Sequence, residues 1–131
     1  MAGSFSDYLE TKLLDHTFRN VAYTSPSAVY LALYTTAPTD AGGGTELSGN
    51  AYARQAVTFA VSGTSPTLAT NSSAIEYPTA TASWGTIVAV GVFDSSSSGN
   101  LLAWADLTSS RSVGSGDIFR IPANDLDITL A

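Results

Sequence analysis

Apolar positions along this chain recur mostly every second residue, and only near the start every third or fourth. Phe5, Leu9 and Leu13 stand four apart, with Leu14 and Phe18 beside them, a spacing that puts them on one helical face. Ser4 or Ser6 suits the N-cap, Asp7 and Glu10 lie near the positive end of the helix dipole, and Asp15 and Arg19 form an i,i+4 pair. The pattern predicts a helix over residues 4–19, with Glu10, Lys12, Asp15 and Arg19 on its polar face. Its apolar face is expected to dock on the rest of the chain, the alternative being a neighbouring subunit.

Beyond Ser25 and Pro26 the period becomes that of strands. Residues 28–35 are apolar on both faces, Val29, Leu31 and Leu33 on one and Ala28, Tyr30, Ala32 and Tyr34 on the other, which predicts a central strand. Pro38, Asp40 and the run Gly42, Gly43 and Gly44 interrupt regular structure over 37–50. That stretch reads as a Gly-rich arm, costly to fix and expected to order only against a partner. A strand with one wetter face follows at 52–61, then a small polar loop with a short extended piece at 67–69, and a short strand at 75–77. The segment 86–94 is the most hydrophobic, and Gly91 in its middle suggests a bulge or another chain approaching closely.

Residues 101–107 are expected to return antiparallel to that strand. A turn at 109–116 and two closing strands at 117–121 and 125–130 follow, with Leu126, Ile128 and Leu130 inward and Asp125, Asp127 and Thr129 outward. One helix and about seven or eight strands at roughly ten-residue spacing predict a mainly β fold. The expectation is a small antiparallel β-sandwich, jelly-roll-like or Ig-like, with one N-terminal α-helix. Residues 1–131 are read as a single domain, the helix at 4–19 and the sandwich at 28–131.

Composition changes this picture in three ways. Eleven acidic residues against five basic ones leave a net charge of −6, which disfavours phosphate backbones and so nucleic acid as a partner. Charged residues are only 12% of the chain, so the surface is mostly neutral, a property suited to permanent burial in an assembly. No Cys occurs, which removes disulfides and thiolate metal sites, and no apolar run is long enough for a transmembrane helix. The opening MAGSFSDYLE has acidic residues where a secretion signal is apolar, so the protein is expected to stay where it is made or to travel inside a larger object.

Candidate chemistry is thin. His16 is the sole histidine and sits on the helix without partners at triad or metal-ligand spacing; a solvated helix residue is the simpler reading. The Gly run is followed by neither Lys nor a helix start, so it is no phosphate loop. Asp125 with Asp127, and Asp40 with Glu46, match no calcium-loop spacing; alternating Asp on an outer strand face blunts an exposed edge. Trp84, Trp104, Tyr23, Tyr34 and Tyr77 are weighed as a sugar platform against the commoner role of aromatic core. Asn71, Ser72 and Ser73 match a glycosylation sequon of the kind Ser-rich chains contain by chance. No enzyme activity, metal or cofactor is expected.

The words SDYLETKLLDHTFR, YLALYTTAPTDAGGGTELSG, YARQAVTF, PTATASWGTIVAVGVFD and GNLLAWADLT cover nearly the whole chain. In these the sequence resembles a family of small tailed-bacteriophage virion structural proteins, commonly labelled tail fibre proteins and of a size that also serves as head decoration. The resemblance implies a virion component made in the host bacterial cytoplasm, and brings no catalytic residues. Without shaft repeats or heptads, the reading preferred at this point is an accessory capsid (cement) protein bridging capsomers. A small tail or tail fibre component, with a host glycan as possible ligand, is the alternative. Expected partners are the major capsid protein or other virion subunits, and further copies of the chain as dimer or trimer, with no nucleic acid and no membrane. The expected contact residues are Phe5, Leu9 and Leu13 on the helix, and Thr39, Asp40, Gly42, Gly43, Gly44 and Glu46 on the arm.

Overall fold

In the computed structural model, which describes residues 3–130, the chain is a mainly β, antiparallel sandwich carrying one helix. Its first element is a strand. β1 (Gly3–Phe5) pairs with Ala103–Ala105, and Ser6 then turns the chain into α1 (Asp7–Phe18). The helix expected from residue 4 thus begins three residues later, because Ser4 and Phe5 satisfy their backbone groups on a free sheet edge. Ser6, in extended conformation, is the N-cap, its Oγ accepting from the Leu9 amide at 3.1 Å.

β2 (Val29–Thr36) is central, as its two-sided apolar pattern requires. One edge of β2 meets β8 (Gly85–Phe93), which in turn pairs with β9 (Leu101–Val113). The other edge is shared by β3 (Thr45–Glu46) near its end and β4 (Gln55–Val57) near its start. The large sheet therefore runs β1-β9-β8-β2-β3, with β4 also on β2.

A second, three-stranded sheet is built from β5 (Phe59–Ser62), β6 (Thr67–Asn71) and β11 (Asp127–Leu130), in the order β11-β6-β5. A two-stranded ladder joins β7 (Ile75–Glu76) to β10 (Arg120–Ile121). The single strand expected over 52–61 is thus two: the chain leaves the large sheet after Val57 and enters the small one at Phe59.

The core lies between the large sheet and the smaller ones. Leu31, Leu33, Val90 and Val92 from the first layer meet Ile75, Phe119, Ile121 and Leu126 from the second. Tyr77 is buried in it, its ring edge-on to Trp84 and Phe119 and stacked with Tyr52, and its hydroxyl donates to the Leu31 carbonyl at 2.7 Å. That burial pushes the Tyr77 phenol well above its ordinary range.

Irregularities decide which side chains face this core. A register shift between Ile87 and Ala89 lets Ile87 share the inner face with Val90 and Val92, against a strict alternation along 86–94. Gly91 itself is no bulge. It makes room for side chains, since a Cβ there would come within 2.9 Å of both Tyr34 Cε1 and Leu101 Cδ1.

β9 runs on through the stretch expected as a turn from Ser109, because Gly85–Ile87 offer Arg111–Val113 a ladder partner. Conversely the strand expected from Asp117 is cut to Arg120–Ile121. Asp117 closes a turn instead, its Oδ2 accepting from the Gly114 amide at 2.8 Å. β11 begins at Asp127 with Leu126 buried before it and Ile128 packed on the core, while the side chain of Leu130, expected inward, lies outside those described.

Candidate functional site

The two predicted contact segments, helix and arm, converge on one corner of the molecule. Ser6 organises it: its amide donates to the Leu102 carbonyl at 2.8 Å and its hydroxyl to the Leu101 carbonyl, so the start of α1 is fixed to β9. Asp7, the first helical residue, donates its amide to the Asp40 carbonyl at 2.8 Å. The Asp40 side chain accepts from the Trp104 indole N–H, also at 2.8 Å.

The arm is therefore folded on its own chain, against the expectation that it orders only on a partner. Thr39 and Gly42 exchange backbone hydrogen bonds at 2.8 Å each, closing a tight turn. Gly44 then returns the chain at φ +73°, where a Cβ would overlap the Thr36 carbonyl oxygen at 2.7 Å and the Pro38 nitrogen at 2.8 Å. Only glycine fits there. Gly42 and Gly43, by contrast, have open space around them.

The arm's far end is held by charge. Glu46 receives Arg54 in a two-pronged pair, Nε to Oε2 at 2.9 Å and Nη2 to Oε1 at 2.8 Å, and also accepts from the Tyr52 hydroxyl at 2.7 Å. Arg54 Nη1 donates to the carbonyls of Ser95 and Ser98, and its guanidinium lies 3.7 Å over the Phe93 ring. Its side chain is only 8% exposed. Desolvation works against the Glu46 carboxylate, but the hydrogen bonds from Arg54 and Tyr52 outweigh it and hold the group below its ordinary range. Nearby, burial first and the Glu46 charge second push the Tyr34 phenol up to about 12.

Two surface clefts flank this corner. One, about 450 Å³, opens between the arm and the α1 start, lined by Asp7, Tyr8, Asp40, Gly42, Gly43 and Asn100. At its rim Asp7, Glu10 and Asp40 bring one carboxylate oxygen each within 4.8 Å of one another. The other, about 420 Å³, runs along α1 between Phe5, Leu13, Leu14 and Phe18, and Phe18 is 78% exposed.

So Phe5 and Leu13 line the helix groove, Asp40, Gly42 and Gly43 line the arm cleft, and Thr39 and Gly44 shape the arm between. Leu9 packs on the chain's own core, and Glu46 turns inward to Arg54. Arg54, Tyr52 and Trp104, the anchors of the arm, escape a reading of the sequence. The available signal was that Arg54 is the sole basic residue between Arg19 and Arg111.

The remaining candidates disperse. His16 Nδ1 accepts from the Tyr23 amide at 3.1 Å, tying the segment after the helix back onto it. Tyr34, Tyr77 and Trp84 are buried, and Trp104 is engaged with Asp40, so the weighed aromatics form no shared platform. Asn71 of the sequon is fully buried, donating to the Ser73 and Pro122 carbonyls and accepting from the Leu126 amide. Among the described residues no helix is long and apolar enough to cross a membrane.

What these features define is a small antiparallel β scaffold with extensions latched to its surface. Residues 4–129 match the family described as Podophage GP4 fiber I protein gp80. The chain belongs to that family and is a bacteriophage virion structural protein. No curated protein matches the chain.

Proposed function

We propose that the protein is a non-catalytic subunit of the fibre or tail apparatus of a phage particle, gripping neighbouring virion proteins through the corner where α1 and the arm meet. The observation that carries this reading is the fibre family match across residues 4–129. The exposed apolar side chains of Leu14 and Phe18 on α1 support a docking role, since the helix buries none of its residues fully on its own sandwich. The arm adds a pre-ordered surface, so binding there does not cost the ordering of a flexible loop.

A second reading, head decoration by bridging capsomers, is favoured by the compact sandwich without a shaft-forming repeat. Immunogold labelling of intact virions with antibody to the purified protein separates the two. Gold on the tail or fibres is the expected result. Gold over the head shell assigns the decoration role, and absence of the protein from finished particles removes both.

A further inference from the structure

One sheet edge lacks the protection the others have. β1 and β4 are three residues long, β3 is two and ends in Glu46, the two-residue strands β7 and β10 carry Glu76 and Arg120, and β11 begins with Asp127. Short or charged edges of this kind resist pairing with other chains. β5 is different: it is the outer strand of its sheet, four residues long, and no charged residue occurs anywhere from Gln55 to Ile75. Ala60, Val61 and Ser62 are exposed, Val61 by 72%.

The hydrogen-bond phase of this edge is fixed. The Ser72 amide donates to the Thr58 carbonyl at 2.9 Å, so Thr58 faces β6, whereas the Asn71 amide opposite Phe59 turns away to the Leu126 carbonyl. Because hydrogen-bonded and non-hydrogen-bonded pairs alternate along an antiparallel ladder, Ala60 and Ser62 face β6, and the backbone groups of Phe59 and Val61 point to the open edge.

We propose that β5 pairs antiparallel with β5 of a second copy of this chain, about a two-fold axis at Ala60. In that register Phe59 lies opposite the partner's Val61, and Val61 opposite the partner's Phe59, each pair exchanging two backbone hydrogen bonds. The same pairing sets Val61 beside an aromatic ring, a favourable cross-strand combination that covers its exposed side chain. A chain of net charge −6 repels its own copies, and the uncharged β5–β6 hairpin is a surface where two can meet with no like charges opposed. The two small sheets then become one six-stranded sheet, β11-β6-β5 continued by its copy. This pairing is independent of whether the protein sits on fibre, tail or head.

The test uses the absence of cysteine. Across the proposed axis the two Ala60 Cα atoms form a non-hydrogen-bonded pair about 4.5 Å apart, within the roughly 4.4–6.8 Å that a disulfide spans. Full-length protein carrying Ala60→Cys should form a covalent dimer under mild oxidation, and the exposed control Ala123→Cys should not. Sedimentation should show the unmodified protein as a dimer, and Val61→Lys as a monomer with unchanged circular dichroism. Val61→Pro, which removes only an outward amide, should also give a monomer. A monomeric unmodified protein, an oligomer of another size, or a dimer that both Val61 variants leave intact overturns the proposal. So does an edge that pairs only when a different virion protein is added.

Discussion

Few single side chains matter more here than Arg54. Buried over Phe93 and shared between Glu46 and two carbonyls of the 95–98 turn, it joins the end of the arm to a segment some forty residues further along the chain. Removing its partner leaves a buried charge uncompensated, so Glu46→Ala should cost about 2–3 kcal/mol in urea unfolding, less than for a fully enclosed pair because Glu46 keeps some solvent contact. The same pair gives a pH dependence. Glu46 binds its proton more weakly in the folded chain than in the unfolded one, so its contribution is complete above the ordinary carboxylate range and is lost as pH falls through the depressed folded value. Glu46→Gln should therefore flatten the acid side of the stability-against-pH curve and leave the neutral region's slope unchanged. Gly91 carries a steric argument: Gly91→Val drives a side chain into Tyr34 and Leu101 and should cost about 1–3 kcal/mol by thermal unfolding.

Among the elements, arm and helix behave differently despite sharing a corner. The arm is held at Asp40, at the Thr39–Gly42 turn and at Glu46, with Gly43 exposed just past the turn, so limited proteolysis of native protein should nick at Gly43 and spare the anchored flanks. Gly44→Ala meets both a left-handed backbone and an overlap with Thr36, and should detach the arm, seen as faster cleavage around it. The helix is fixed at its cap by Ser6 and offers Leu14 and Phe18 outward. Phe18→Ser should change stability by no more than about 0.5 kcal/mol while lowering the amount of protein recovered in assembled particles. Unaltered incorporation would remove the helix groove from the contact surface.

For the whole molecule, the architecture is a sandwich whose loose ends are tied to its own surface before any partner arrives. Pre-ordering of this kind lowers the ordering cost of assembly, so that more of the gain from burying apolar seams is retained. Different contacts are proposed on separate elements: the helix and arm corner for other virion proteins, and the uncharged β5 edge for a second copy. Combining Phe18→Ser with Val61→Lys should produce additive losses in incorporation, since the two surfaces belong to separate elements with no shared residue.

By itself the sequence determined the fold class, the central position of β2, the N-terminal helix and most strand locations, because these follow from local periodicity and from the residues that interrupt it. It also made the virion family recognisable. Tertiary structure decided the rest. Ser4 and Phe5 became a strand because a free edge of β9 was available to pair with them, and β9 extended through Ser109 and Ser110 because β8 lay alongside its far end. The arm folded inward because Trp104, 64 residues from Asp40, and Arg54, itself held by the 95–98 turn and the Phe93 ring, supply the donors that its carboxylates need. Which edge of the sandwich stands open likewise depends on where the chain crosses between sheets at Thr58, a choice made by long-range pairing that no local pattern records.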